Sequence, residues 1–261
     1  MDDHEMLQDK PHRTVVRVGD TVRRPLQPWS SSVHELLRYL EGIGYPHSPR
    51  FLGIDADGRE VVSFIDGESG GAGWAKVVDE RGLKSMARLL RQYHDAVRGF
   101  RPAAVDGWAG RTAPQADDEL ICHGDFGPWN LVWHGPRPVA ALDWDYAWPA
   151  KPIHDIAYAL EYVAPFRDDE TCVRWLSFPE PPNRRRRLEL FAEAYGLEST
   201  TGLVDEVIAQ QEAVWKRARR LADQGCQPQA DWQSTGFLDK TAARINWTRT
   251  NRQLFEPAPG G

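Results

Sequence analysis

The spacing of hydrophobic residues changes character near residue 66. Before that point the apolar residues form short runs at 14–18, 21–24, 50–54 and 60–65, and the turn signals Gly19-Asp20 and residues 55–59 separate the two pairs. Between the pairs, residues 30–44 begin with serines, carry apolar residues at helical spacing and end near glycines. The pattern predicts the order strand, strand, helix, strand, strand.

A glycine-rich connector at residues 66–73 precedes a mainly helical region. Apolar residues recur three and four positions apart over residues 83–97, 186–196 and 204–222, which is typical of amphipathic helices. Two short strand candidates, at residues 131–133 and 139–142, interrupt the helices and flank a turn at 134–138. The whole chain is therefore predicted to be an α+β protein.

Composition and charge narrow the classes of function. The 261 residues are 41% hydrophobic and 27% charged, and the net charge is −6. An acidic chain is a poor candidate for nucleic-acid binding, and no apolar run is long enough to span a bilayer. Three well-separated cysteines and an N-terminus without a signal-peptide pattern predict a cytoplasmic protein without a disulfide framework. We expect a monomer or a weak dimer.

The most informative segment runs from His123 to Asn130, with the sequence HGDFGPWN, and Leu142-Asp143-Trp144-Asp145 follows after a hairpin. Phosphoryl transfer needs a carboxylate that accepts the proton of the attacking hydroxyl, and hard oxygen ligands that hold Mg²⁺ against nucleotide phosphates. A loop with Asp and then Asn five residues later, followed by a second Asp, is the arrangement of kinase catalytic loops. This spacing predicts a phosphoryl-transfer site.

HGDFGPWN and LDWDYA resemble the aminoglycoside phosphotransferase family, the antibiotic-kinase-like branch of the protein-kinase fold. The resemblance implies a protein-kinase-like two-lobed fold, with a strand-rich N-lobe at residues 1–66 and a helical C-lobe at residues 67–261. It also implies a small-molecule kinase that transfers the γ-phosphate of ATP or GTP, with Mg²⁺, to a substrate hydroxyl. Aminoglycosides, other antibiotics or metabolites are the acceptors that it suggests.

The resemblance assigns roles to the acidic and amide residues of the motif. Asp125 would be the catalytic base, and Asn130 and Asp143 would bind Mg²⁺. Asp145 matches the second acidic position of the family and would bind the metal or a water molecule. For Asp145 the alternative is a solvated turn carboxylate.

Two further residues would support the site rather than react. His123 would brace the catalytic loop through hydrogen bonds. Asp155 matches the family's acidic residue at the start of the next helix, where it would steady the same loop. The alternative for Asp155 is a simple helix N-cap.

The chain departs from the kinase pattern in its front part. Protein kinases pair a strand lysine with a helix glutamate, but these strands have no lysine, so Arg23 or Arg24 must replace it. We favour Arg23, because it shares a strand face with the small Thr21. Glu35 is the candidate helix partner, although Ser32-x-x-Glu35 is also a capping-box spacing and His34 is an adjacent possibility.

The nucleotide-binding backbone also differs from the usual pattern. The expected first hairpin, through residues 7–16, has no glycine, so a close approach of its amides to phosphate is harder. Residues 63–67 resemble the hinge that meets the purine, where main-chain atoms of Phe64 and Ile65 would contact the nucleotide.

Two other classes of protein are compatible with parts of this pattern. A nucleotide-binding pseudokinase or scaffold would explain the missing lysine and glycine loop, although the intact set of Asp125, Asn130 and Asp143 argues against it. A metal-dependent hydrolase would use His123 and the aspartates as ligands, but the histidine-rich set common for zinc is absent.

Overall fold

The structure is a computed structural model that describes residues 4–10, 13–103, 107–109, 115–227 and 229–256. A strand-rich first part is followed by a mainly helical remainder, which confirms the predicted α+β class. No helix in the described part of the chain combines the length and the apolar character needed to cross a bilayer. The division into lobes at residue 66 stays a prediction.

The first part contains one antiparallel sheet with the strand order β1-β2-β3-β5-β4. The strands are β1 (His4–Lys10), β2 (Arg13–Val18), β3 (Thr21–Arg24), β4 (Phe51–Ile54) and β5 (Glu60–Ser63). The apolar pattern does not mark β1, since six of its seven residues are exposed, but the hairpin expected through residues 7–16 is present as the antiparallel pair of β1 and β2. Backbone pairing with β2 holds it in the sheet. The turn between β1 and β2, at residues 11–12, lies outside the described residues.

Helix α1 (Ser30–Gly42) connects β3 to β4 as the sequence predicts. Its apolar face carries Val33, Leu36, Leu37 and Leu40, each at most 1% exposed. Gly44, two residues after the end of the helix at Gly42, has a φ of +73°. This left-handed conformation favours glycine and terminates the helix.

The remainder of the chain is mainly helical, with four short strands inserted between its second and third helices. The helices are α2 (Gly73–Val78), α3 (Glu80–Ala96), α4 (Ile153–Val163), α5 (Asp169–Trp175), α6 (Arg184–Tyr195), α7 (Leu203–Asp223), α8 (Gln229–Ser234) and α9 (Phe237–Thr250). The predicted amphipathic stripe of α3 is fully buried at Leu83, Met86, Leu90 and Tyr93. Helix α4 packs against α7, and α7 packs against α9.

The inserted strands form two antiparallel pairs that frame the HGDFGPWN segment. They are β6 (Leu120–Cys122), β7 (Leu131–His134), β8 (Arg137–Ala141) and β9 (Trp148–Ala150). β6 pairs with β9, and β7 pairs with β8 through a turn at residues 135–136 that is tighter than the predicted one. Fully buried Trp133 and Trp144 anchor this region in the core.

Candidate active site

The catalytic loop leaves β6 at His123 and turns sharply at Gly124. Gly124 has a φ of +76°, and a Cβ atom there would lie 2.1 Å from the carbonyl oxygen of Tyr146. Only glycine fits such a conformation and such a close approach without strain. The turn therefore directs the following residue, Asp125, toward Asn130 and Tyr158.

Asp155 holds the start of this loop. Its carboxylate accepts hydrogen bonds from the backbone amides of His123, at 2.7 Å, and Gly124, at 2.8 Å. His94 Nε2 lies 3.2 Å from the same carboxylate. Burial alone would raise the pKa of Asp155, but the hydrogen bond from His94 and the nearby histidines lower it to about 2. The N-cap alternative is wrong, because Pro152 occupies that position and Asp155 lies inside α4.

His123 is fully buried and its two ring nitrogens face different partners. Its Nε2 lies 2.9 Å from the carbonyl oxygen of Leu142, and its Nδ1 lies 3.3 Å from the backbone nitrogen of Asp125. These partners select the neutral tautomer with hydrogen on Nε2. Burial also lowers the pKa of His123. The ring thus joins the catalytic loop to the strand end before Asp143.

Asp125 receives hydrogen bonds on both carboxylate oxygens. The Tyr158 hydroxyl donates to Oδ1, and Asn130 Nδ2 donates to Oδ2 at 2.7 Å. Asn130 Nδ2 also lies 2.9 Å from the Asp125 carbonyl oxygen. Tyr158 and Asp155 lie three residues apart on α4, so one face of that helix holds both the start of the loop and the Asp125 carboxylate.

The electrostatic surroundings suit Asp125 to proton transfer. Burial raises the pKa of Asp125 to about 7, against the opposing effect of the Tyr158 hydrogen bond, and the negative charge of Asp143 adds to the rise. A general base works best when its pKa lies near the operating pH.

Asp143 and Asp145 lie on the turn after β8 and share two arginines. Arg13 Nη2 lies 2.9 Å from Asp143 Oδ1 and 3.3 Å from Asp145 Oδ2. Arg24 reaches the same two carboxylates at 3.2 and 3.1 Å. Asp143 has a φ of +59°, a left-handed conformation rare outside glycine and asparagine. The backbone amide of Leu142 donates to the carbonyl oxygen of Asn130 at 2.7 Å, so this turn and the catalytic loop are in direct contact.

The two carboxylates differ in their titration. Burial alone would raise the pKa of Asp143, but the charges of Arg13 and Arg24 hold it below its ordinary value. Burial raises the pKa of Asp145 despite the opposing charge of Arg24. Asp145 is only 7% exposed, so the alternative of a solvated turn carboxylate is wrong.

The structure corrects the choice between the two strand arginines. Arg23 points to the opposite face of β3, where its Nε lies 3.5 Å from Asp55. Arg24, 8% exposed, points toward the aspartates. The sequence argument matched Arg23 to Thr21, which lies on the outward face of β3. The inward face carries the apolar Val22, and Arg24 shares that face.

The prediction that Glu35 is the helix partner of the strand arginine is also wrong. Its carboxylate accepts a hydrogen bond from the backbone amide of Ala103 at 3.0 Å. The capping-box alternative fails too, because the helix begins at Ser30 without a side-chain cap. The partner of Arg24 is Glu60 on β5, at 2.5 Å, and His34 of α1 lies 3.0 Å from the other oxygen of Glu60.

The predicted hinge, residues 63–67, follows β5 of the five-stranded sheet. The Phe64 backbone amide donates to the carbonyl oxygen of Asp20 at 2.8 Å, and its ring lies under the Arg17 guanidinium at 3.7 Å. That amide is therefore engaged within the protein. Ile65 follows in a segment without regular secondary structure, so a nucleotide contact there stays a prediction.

Sequence reasoning missed Arg13, Glu60 and Tyr158. Glu60 alternates with the inward-facing Val62, which marks its face of β5, but its pairing with Arg24 depends on the register of β3 and β5. Tyr158 follows Asp155 at helical spacing. Arg13 offers no such signal, because its approach to Asp143 depends on how the first hairpin folds over the site.

The donor set fits a magnesium ion and nucleotide phosphates. The carboxylates of Asp143 and Asp145 are hard oxygen ligands, and Asn130 still has its amide oxygen available once its NH₂ group bonds Asp125. Arg13 and Arg24 neutralise the two carboxylates in this structure and offer guanidinium groups to phosphate. Carboxylates for a cation and guanidiniums for phosphate thus lie within one site.

Comparisons with known proteins cover this segment of the chain. The model of the phosphotransferase enzyme family matches residues 97–202, which include the catalytic loop and the Asp143 turn. The trifolitoxin immunity protein of Rhizobium leguminosarum bv. trifolii is 31% identical over 267 residues, covering 99% of this chain and 99% of the relative.

Solved structures show the same fold at low identity. A GDP complex of aminoglycoside 2'-phosphotransferase-IIIa matches 96% of this chain and 93% of its own, with a TM-score of 0.62 and 15% identity. An amicoumacin kinase, solved with AMP-PNP, Ca²⁺ and its antibiotic, covers 95% of this chain and 88% of its own, with a TM-score of 0.62 and 12% identity. The chain belongs to the phosphotransferase enzyme family, has the protein-kinase-like fold and is a phosphotransferase with an alcohol group as acceptor.

Proposed function

We propose that this protein is a cytoplasmic kinase that transfers the γ-phosphate of ATP or GTP to a hydroxyl of a small molecule. The observation that carries the proposal is the position of Asp125. Its carboxylate is held by Asn130 and Tyr158, its pKa is raised to about 7, and it lies beside the Asp143–Asp145 turn.

In the proposed reaction the acceptor hydroxyl oxygen attacks the γ-phosphorus in line with the leaving oxygen. The new phosphorus–oxygen bond forms as the bond to the bridging oxygen breaks, and the nucleoside diphosphate leaves. Asp125 takes the hydroxyl proton. Its two hydrogen bonds fix the carboxylate in place, so little reorganisation is needed before the proton moves.

Asn130, Asp143 and Asp145 would hold Mg²⁺, which supplies positive charge against the nucleotide phosphates. Arg24 would contact those phosphates in place of the usual lysine. Glu60 and His34 fix its guanidinium from behind, as the helix glutamate fixes the lysine of protein kinases. Arg13 would reach the phosphates from the first hairpin.

We further propose a protective role. A relative that matches nearly the whole chain is a toxin immunity protein, and solved structures of the same fold contain antibiotics. Phosphorylation would add negative charge to a toxin or antibiotic and thereby block its recognition by the target. The acceptor is then a toxic small molecule with a free hydroxyl group.

A panel of hydroxylated antibiotics and metabolites, incubated with the enzyme, Mg²⁺ and ATP or GTP, tests the proposal. Mass spectrometry should detect an acceptor that gains one phosphoryl group. Asp143→Asn should abolish the product and weaken Mg²⁺-dependent nucleotide binding, whereas Asp223→Asn, an exposed residue at the end of α7, should change neither. Nucleotide binding without turnover on any acceptor would instead support the pseudokinase alternative.

A further inference from the structure

The side of Asp125 that faces α4 is lined by aromatic rings. Tyr158 and Tyr162 lie one helical turn apart, with their ring centroids 5.2 Å apart. Trp129, inside the catalytic loop, lies 4.6 Å from Tyr162, and Trp74 lies 4.9 Å from Trp129. Three of these rings are only half-buried, and they are tilted or edge-on to one another, so they offer an aromatic pocket wall next to the Asp125 carboxylate.

Three arginines surround this aromatic surface. Arg167 lies over the Tyr162 ring at 4.6 Å. Arg244 of α9 pairs with Glu161, the neighbour of Tyr162 in α4, and Arg217 of α7 lies over the ring of Tyr146, whose carbonyl oxygen closely approaches Gly124. The only carboxylate that pairs with these arginines among the described residues is Glu161, at 3.0 Å from Arg244 and 3.5 Å from Arg167.

Arg217 has no carboxylate within ion-pair distance in the described part of the chain. Its guanidinium lies 4.9 Å from the ring centroid of Tyr146 and 5.3 Å from that of Trp148. Its Nη1 is buried without a hydrogen-bond partner. A buried donor without a partner is costly, so this guanidinium is suited to bind an anion supplied from outside the chain.

The balance of charge on this side is positive. Three guanidiniums face the two carboxylates of Glu161 and Asp125, which leaves one positive charge in excess. The acidic residues of nearby loops have partners elsewhere, since Asp118 pairs with Lys151 and Asp169 pairs with Arg184. A polycation would therefore meet repulsion where its hydroxyl must approach Asp125.

We propose that the natural acceptor carries an anionic group close to its reactive hydroxyl, together with a planar or aromatic part, and that Arg217 binds the anion. The inference rests on the proposed function, because it assumes that the acceptor hydroxyl approaches Asp125. It excludes a polycationic aminoglycoside as the preferred acceptor.

Binding can test the acceptor class independently of turnover. The probes are N-benzoyl-L-serine, which joins a ring, a hydroxyl and a carboxylate, its uncharged primary amide, and the polycation kanamycin. Calorimetric titrations with Mg²⁺ and AMP-PNP present should show the acid binding about tenfold or more tighter than the amide. Kanamycin should bind more weakly than the acid.

Variants assign the selectivity to one side chain. Arg217→Gln should reduce the preference for the acid over the amide to about onefold and leave AMP-PNP affinity unchanged, while Arg217→Lys should keep part of the preference. Arg219→Gln is the matched control, because Arg219 is an exposed residue of the same helix.

Equal or absent binding of the acid, tighter binding of kanamycin, or a preference that survives Arg217→Gln would overturn the inference. Acid-selective binding without phosphate transfer to any acceptor would refute the kinase proposal and leave the anion site standing. Phosphate transfer with a preference for kanamycin would support the kinase proposal and refute the anion site.

Discussion

Replacing Asp155 with Asn tests how the catalytic loop is held. The residue is fully buried, and its carboxylate accepts from the amides of His123 and Gly124 and lies beside His94. Asparagine has nearly the same shape but only one acceptor oxygen. Its NH₂ group would face at least one N–H donor, so Asp155→Asn leaves a buried donor without a partner.

The cost can be worked out from two contributions. The native pKa of about 2, against an ordinary value of 3.8, corresponds to about 2 kcal/mol of stability from the ionised carboxylate. An unsatisfied buried amide adds about 1–3 kcal/mol. Adding the two contributions, we expect Asp155→Asn to lower the free energy of unfolding by about 3–5 kcal/mol, which is also the range for breaking a buried charge interaction.

Urea unfolding followed by the fluorescence of the eleven tryptophans measures this loss. The variant should show a lower midpoint at an unchanged slope. Asp118→Asn is the control, because Asp118 and its partner Lys151 are both exposed and such surface pairs contribute little to stability.

The pH dependence gives a second criterion. Because the pKa of Asp155 is lower in the folded protein, the unfolded chain binds more protons, and the stabilisation is fully present above pH 4. The difference between wild type and Asp155→Asn should therefore shrink as the pH falls from about 4 to about 2. A loss below about 1 kcal/mol at neutral pH, or one independent of pH, would refute the reasoning.

Three other predictions concern the reactive end of the site. Arg24→Gln should weaken nucleotide binding about tenfold or more, measured by titration, whereas Arg23→Gln should leave it nearly unchanged. Of these two arginines only Arg24 faces Asp143 and Asp145. The kcat/KM for phosphate transfer should rise with pH through about 7, as Asp125 becomes ionised, and a flat profile would contradict its role as the base. Gly124→Ala should lower the melting temperature and the activity, since its φ is positive and a Cβ would meet the Tyr146 carbonyl; wild-type behaviour would show that the loop adapts freely.

The strong local patterns were predictable from the sequence. The helices α1, α3, α6 and α7 follow from apolar residues at helical spacing, and the contacts of Asn130 with Asp125 and with the turn before Asp143 follow from the fixed separations within the motif. Such signals survive because burial and turn geometry act over a few residues. The family assignment rests on the same short segment, and the comparisons confirm it.

Contacts between distant segments were not predictable in this way. The pairing of Arg24 with Glu60 requires knowledge that β3 and β5 are neighbours and which face of each points inward. The approach of Arg13 to Asp143 spans 130 residues and depends on the position of the first hairpin. Arg217 reaches the vicinity of Asp125 only because α7 packs against α4. Local spacing carries no record of these long-range arrangements.

The account depends most on Asp125 as the group that receives the acceptor proton. The direct test measures single-turnover phosphate transfer and AMP-PNP affinity for Asp125→Asn beside the wild type. We predict transfer slower by about 10²–10⁴-fold with Mg²⁺-AMP-PNP affinity nearly unchanged. Transfer at the wild-type rate would contradict the account.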